Sequence, residues 1–226
     1  IAPTAGSNST VCSGQTLSLT ASTVGTSTYS WTGPNSFSSA SQNPIIAAVT
    51  TLASGTYSVT AIENGCTGTA GTTVVTINQT PSAPVGGSNT PVCTGQTLSL
   101  TANTVAGATY SWTGPNAFAS ALEDPSIAAV TTAATGTYSV NVTVGGCLGP
   151  NGTTSVTINA TPSAPVAGSN SSICSGQTLS LTASTIGSST YLWSGTLAYS
   201  STSQNPTITG STTAQSGTYS VTATEN

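Results

Sequence analysis

One seven-residue phrase constrains this chain more than any other feature. It reads ASGTYSV at 53–59, returns as ATGTYSV at 134–140, and appears again as QSGTYSV at 215–221. The interval is 81 residues, and both the tryptophans Trp31, Trp112 and Trp193 and the tyrosines Tyr57, Tyr138 and Tyr219 keep it. A unit of this size is too large for one turn of a solenoid and suits a small independent domain, so the spacing predicts beads on a string. The expected divisions are 1–80, 81–161 and 162–226, the third stopping before its last strand.

Within the first repeat the hydrophobic period is two. GQTLSLTAS sets Leu17, Leu19 and Ala21 on one face and Thr16, Ser18 and Thr20 on the other, the alternation of a half-buried strand. TYSWT does the same through Tyr29 and Trp31, PIIAAV supplies an apolar run, TYSVTAI alternates through Tyr57, Val59 and Ala61, and TTVVTIN closes with Val75 and Ile77. Clusters such as GPN (33–35) and ENG (63–65) separate these segments as turns. No helical period outlasts a single turn, and β-branched residues abound. The expected class is all-β, with about seven short strands per repeat forming a sandwich. Between repeats, Pro81 with Pro84 and Pro162 with Pro165 make short semi-rigid spacers.

Charge narrows the functions open to such a chain. It has no Lys, Arg or His and four acids, Glu63, Glu123, Asp124 and Glu225. Without a cation it cannot neutralise phosphates or anionic headgroups, so neither nucleic acid nor a charged membrane surface is an expected partner. No apolar run approaches the roughly 18 residues of a membrane span. The missing His and Lys also remove a Ser–His–Asp triad, a Cys–His pair and a Schiff-base lysine. Glu123–Asp124 reads as a solvated turn, and Glu63 and Glu225 read as turn residues with too few charged oxygens nearby for calcium. No Cys-x-x-Cys occurs, so no metal, cofactor or catalytic residue is expected, and the segment reads as non-enzymatic. A surface with so little charge lacks like-charge repulsion and permits association between copies. With no Met and no signal-like start, the chain reads as a mature or excised piece of something longer.

The run NPIIAAVTTLASGTYSV resembles the part of immunoglobulin domains in which an apolar strand leads to a corner ending Asp-x-Gly-x-Tyr-x-Cys. The resemblance implies that Tyr57, Tyr138 and Tyr219 are corner tyrosines whose hydroxyls bond upstream backbone. It also implies that Trp31, Trp112 and Trp193 are the tryptophans buried between the sheets. The chain departs from that pattern twice. Ala53, Ala134 and Gln215 replace the Asp, and the usual inter-sheet disulfide positions hold Ala21 and Val59, Ala102 and Val140, Ala183 and Val221. Valine ends the phrase because this version packs its sheets without a central disulfide. VCSGQTLSLTAS, YSWTGPNSF, SGTYSVT and NGC together also resemble the tandem immunoglobulin-like and PKD-like repeats of very long secreted surface adhesins of Bacteroidota, many exported by the type IX system. That likeness implies an extracellular, cell-surface location and a stalk, spacer or adhesive role.

The cysteines follow the repeat in two series, Cys12, Cys93 and Cys174, and Cys66 and Cys147. In a chain of small polar residues they point to an oxidising compartment. Pairs inside a repeat would be Cys12 with Cys66 and Cys93 with Cys147, and free or intermolecular thiols are a further alternative. The strand layout favours another arrangement. Cys12 precedes a strand at the exit end of its bead and Cys66 follows a turn at the opposite end, some ~20 Å away by strand rise, while a disulfide needs Cα atoms within about 7 Å. A bond from Cys12 to Cys147 would staple neighbouring beads, with Cys93 reaching position 228 of a longer chain. Phe37, Phe118 and Tyr199 recur after a turn, as packing groups or as aromatics for a sugar ring. The expected partners are therefore copies of the chain or adjacent repeats, with surface polysaccharide as the alternative. The leading expectation is a stiff stalk or filament, and the second is a carbohydrate-binding module attached to a secreted enzyme.

Overall fold

A computed structural model describes residues 1–225. The chain divides into two compact units, Ile1–Ile158 and Asn159–Asn226. The first begins with β1 (Ala5–Ser7), β2 (Val11–Cys12), β3 (Leu17–Ala21), β4 (Thr28–Gly33), β5 (Phe37–Ser39) and β6 (Ile45–Ile46). It continues through β7 (Gly55–Glu63), β8 (Cys66–Thr67), β9 (Gly71–Val75) and β10 (Ile77–Asn78). The same ten elements then recur as β11 (Gly86–Ser88), β12 (Val92–Cys93), β13 (Leu98–Ala102), β14 (Thr109–Gly114) and β15 (Phe118–Ser120), followed by β16 (Ser126–Ile127), β17 (Gly136–Val144), β18 (Cys147–Leu148), β19 (Gly152–Val156) and β20 (Ile158–Asn159).

In the first repeat one sheet has the order β1-β3-β6, and the other runs β5-β4-β7 with β8 and β9 both paired to β7. Alternation explains which face each sheet buries. Leu17 and Leu19 of β3, Trp31 of β4, and Tyr57 and Val59 of β7 lie between the sheets at 1% exposure or less, while Thr28, Ser30 and Thr32 of β4 face outward. Two antiparallel sheets enclosing such a core, with a parallel β2–β10 pair at one edge, make an immunoglobulin-like β-sandwich. The second repeat builds an equivalent core around Leu98, Leu100, Trp112, Tyr138 and Val140. The unit is a tandem of such sandwiches, and four short 3₁₀ turns are the only helical segments among the described residues.

The apolar run PIIAAV contributes less strand than its composition predicts. Only Ile45–Ile46 pairs with β3, and Ile45 is 70% exposed. Ala48 turns to φ 48°, which lets Val49 bond the loop before β3, its N–H to Gln15 O at 3.0 Å and its carbonyl to Gly14 N–H at 2.8 Å. Those two bonds, and burial of Val49 to 3%, outweigh extension of the strand.

The second unit holds β21 (Ala167–Ser169), β22 (Leu179–Ala183), β23 (Thr190–Ser194), β24 (Ser200–Ser201), β25 (Thr207–Ile208) and β26 (Ser220–Thr224). Its sheets are β21-β22-β25 and β24-β23-β26. Trp193 is again buried, at 1%. Tyr219 and Val221 are only half buried, because among the described residues no strand flanks β26 as β9 flanks β7.

Candidate functional site

Each repeat is organised around its corner tyrosine and its tryptophan. The Tyr57 hydroxyl donates to Ala53 O at 2.9 Å, Tyr138 to Ala134 O at 3.0 Å and Tyr219 to Gln215 O at 2.9 Å. The acceptor is a backbone carbonyl four residues upstream, so the bond survives replacement of the residue by Ala or Gln. Burial pushes the Tyr57 and Tyr138 hydroxyls above their ordinary pKa. The indole N–H of Trp31 donates to Gln42 O at 3.2 Å, with Trp112 on Glu123 O and Trp193 on Gln204 O in the same way. Phe37, Phe118 and Tyr199 are half-buried, each standing edge-on against its corner tyrosine with ring centroids 5.5, 5.5 and 5.6 Å apart. One side of each ring is committed to that contact.

The acidic pair occupies structural positions. Asp124 Oδ1 accepts from Ala102 N–H at 2.9 Å, where Asn43 and Asn205 accept from Ala21 and Ala183 at 3.0 Å. Glu123 accepts from Thr104 Oγ1, whereas Gln42 and Gln204 donate to the equivalent Thr23 and Thr185. Glu63 accepts from Thr26 Oγ1 at 3.3 Å. Among the described residues no three His, Cys, Asp or Glu side chains gather into a metal-binding group.

The most elaborate polar arrangement is the joint between the first and second repeats, inside the first unit. Parallel pairing of β10 with β2 sets Asn78 opposite Cys12. Beyond Cys12 the chain turns tightly: Gln15 N–H donates to Cys12 O at 3.1 Å, Gln15 Oε1 accepts from Cys12 N–H at 3.4 Å, and Gly14 takes φ 88°. Ser13 N–H then donates to Asn78 O at 2.8 Å. The connecting segment folds back over the turn through Thr80, whose N–H and hydroxyl bond Ser13 Oγ and Ser13 O at 2.9 and 2.8 Å.

From the second repeat the β17–β18 hairpin reaches this turn. Asn78 Nδ2 donates to Gly145 O at 2.6 Å. A Cβ at Gly145 would come within 3.1 Å of that nitrogen, so the amide would have to shift by a few tenths of an ångström, and φ there is 55°, in the left-handed region that favours glycine. Cys147, at 1% exposure, is disulfide-bonded to Cys12 with Cα atoms 5.6 Å apart. Its sulfur carries no hydrogen and simply rests 3.8 Å from Asn78 O. Cys66, Cys93 and Cys174 are exposed and carry free thiols.

Two polar sets in this architecture went unassigned by sequence reasoning. Asn8 bridges two strands, donating to Thr16 O and accepting from Ser18 N–H at 3.1 and 2.9 Å, as Asn89 and Asn170 do in their repeats. The Ser13–Thr80 and Asn78–Gly145 bonds are the second set. The signal available was the 81-residue recurrence of GSN at 6–8, 87–89 and 168–170.

Comparison with protein families finds no match, and neither does comparison with individually characterised proteins. Solved structures similar to the chain include a marsupial T cell receptor at 12% identity, covering 84% of this chain and 83% of that one with a TM-score of 0.48. The full ectodomain (Ig1–Ig3) of mouse nectin-like molecule 4 is 14% identical, covering 95% and 91% with a TM-score of 0.43. The three N-terminal domains of the outer capsid protein Hoc of bacteriophage RB49 are 16% identical, covering 100% and 87% with a TM-score of 0.36. The fold assignment stands on strand order and core.

Proposed function

We propose that this chain is a structural and adhesive segment of a long extracellular surface protein, in which three immunoglobulin-like repeats, 1–80, 81–161 and 162–226, stack into a stiff stalk or filament. The joint between the first two repeats carries this reading. A disulfide, an Asn78–Gly145 hydrogen bond and two Thr80–Ser13 bonds all cross or brace a connection of few residues. A spacer meant to flex would have none of these. The disulfide keeps the two sandwiches covalently joined at Cys12 and Cys147 even where the hydrogen bonds of the joint are broken. The disulfide and the absence of cations favour a secreted, cell-surface setting in which copies associate without repulsion. Outward rows of hydroxyls, such as Thr32 opposite Ser58 and Ser58 opposite Thr72, offer an uncharged face for that association. The sequence likeness to Bacteroidota adhesins supports the same assignment.

Electron microscopy of intact source cells, labelled with an antibody to the repeat, tests the reading. Label spaced along threads many repeats long is expected, and label confined to compact soluble particles would overturn it. The remaining open side of Phe37, Phe118 and Tyr199 supports a second reading, a carbohydrate-binding module. Glycan-array binding lost on Phe37→Ala with the fold intact would favour it.

A further inference from the structure

The sequence contains two Asn-Gly pairs, Asn64-Gly65 and Asn151-Gly152, and the fold places them in opposite settings. Asn64 and Gly65 form the whole loop of the β7–β8 hairpin, closed by the Glu63–Cys66 pair. Both take positive φ, 51° and 78°, as a two-residue loop between twisted strands demands. Both are exposed, and among the described residues neither the Asn64 amide nor the Gly65 N–H has a hydrogen-bond partner. A Cβ built on Gly65 would meet nothing within 4 Å. Asn151, by contrast, is held. Its Oδ1 accepts from Asn141 Nδ2 at 3.1 Å, Gly152 pairs with Val140 as the first residue of β19, and a Cβ on Gly152 would overlap Pro84 O.

We propose that Asn64 is a site of spontaneous covalent modification, deamidating through a succinimide to aspartate and isoaspartate while Asn151 stays intact. The reaction requires the Gly65 nitrogen to reach the Asn64 carboxamide carbon, an intramolecular approach that the backbone must be free to make. Glycine removes the side chain that would crowd that nitrogen, and it lets the peptide rotate widely. At the hairpin tip only the closing Glu63–Cys66 pair restrains the rotation. At Asn151 the same approach would break the Asn141 bond, open the end of the β17–β19 ladder and disturb the contact with Pro84. The openness belongs to the hairpin and not to what stands beside it. In the built joint the corresponding Gly146 is equally exposed, again with nothing within 4 Å of a Cβ. That docked hairpin carries Gly145 where the other has Asn64, so it lacks the reacting amide.

Water is the sole co-reactant. Hydroxide takes the Gly65 amide proton, the nitrogen attacks Asn64 Cγ, and Nδ2 leaves as ammonia with a proton from water. Water then opens the ring. Cleavage between the nitrogen and Cγ gives aspartate on an unchanged backbone, and cleavage between the nitrogen and the main-chain carbonyl gives isoaspartate, which lengthens the loop backbone by one carbon. Either product sets a further negative charge beside Glu63 on a chain that has no cation. The proposal does not depend on the stalk reading.

The test incubates the 226-residue chain in warm, mildly alkaline, oxygen-free buffer. Chymotryptic peptides are mapped by mass spectrometry, since the chain has no Lys or Arg for trypsin, and isoaspartate is counted by enzymatic methylation. The peptide holding Asn64 should convert at least roughly tenfold faster than the one holding Asn151, a ratio that about 1.4 kcal/mol in barrier produces. In urea with the disulfide reduced, where both pairs are unfolded, the two rates should converge. Asn64→Gly, which copies the loop of the built joint, should abolish isoaspartate in this peptide and leave the circular dichroism spectrum and thermal unfolding unchanged. An Asn64 peptide that stays intact, conversion of Asn151 at the same rate in the folded chain, or a rate ratio that persists in urea would overturn the proposal.

Discussion

Removing the staple with the double variant Cys12→Ser, Cys147→Ser should lower the stability of the first unit by several kcal/mol while leaving it able to fold. The bond closes a loop of 135 residues. By the chain-entropy relation such a loop is worth about 5 kcal/mol at 25 °C. If the second repeat stays folded while the first opens, the closed segment shrinks to roughly 70 residues and the constraint falls only to about 4 kcal/mol, because the dependence on length is logarithmic. The hydrogen bonds of Asn78 and Thr80 remain in the variant, so the loss should appear in the unfolding equilibrium and not as a failure to fold. For a chain of this size the change corresponds to a fall in Tm of roughly 10–20 °C. Replacing both cysteines together avoids a stray thiol that could pair with Cys66 or Cys93. Differential scanning calorimetry of parent and variant in the same oxidising buffer gives the answer. A fall of less than about 2 °C, with the Cys12–Cys147 peptide verified in the parent, would refute the idea that this bond constrains the opened chain.

Trp31→Ala should cost about 3–5 kcal/mol through the cavity it leaves, measured by urea unfolding followed by circular dichroism, which reads the first repeat's strands as well as the others. Ser27 Oγ is buried without a hydrogen-bond partner, and the second repeat has Ala108 at that place. Ser27→Ala should therefore leave stability unchanged or raise it by about 1 kcal/mol, and a clear loss in the same assay would show that the hydroxyl is satisfied. The raised pKa of Tyr57 and Tyr138 means that the unfolded chain ionises first as pH rises. Their contribution is complete below about pH 10 and is lost above it, by up to roughly 1.4 kcal/mol per pH unit for each tyrosine. Urea midpoints from pH 8 to 11, with the free thiols alkylated, should fall on the alkaline side, and less steeply in a Tyr57→Phe, Tyr138→Phe variant.

Local patterning was enough to read the class of this protein. Strict alternation through Leu17, Leu19 and Ala21, and through Tyr57, Val59 and Ala61, assigns strands and their buried faces, since a strand's period of two is a property of the backbone alone. The 81-residue recurrence then multiplies one sandwich into a tandem without knowledge of any contact. PIIAAV marks the limit of such reading: its composition promises a strand, and the bonds of Val49 to a loop some 35 residues earlier in the chain decide otherwise. The joint was legible only in part: strand layout favoured Cys12 with Cys147, the pair that is bonded, but showed none of the contacts that bring them together. Five cysteines allow several pairings, and the choice depends on which chain ends meet in space. Only the parallel pairing of Ile77–Asn78 with Val11–Cys12, the turn held by Gln15, and the hairpin turned through Gly145 and Gly146 bring Cys12 and Cys147 within bonding range. Distances between residues 135 apart are a result of the tertiary structure, because no local preference of the backbone extends that far.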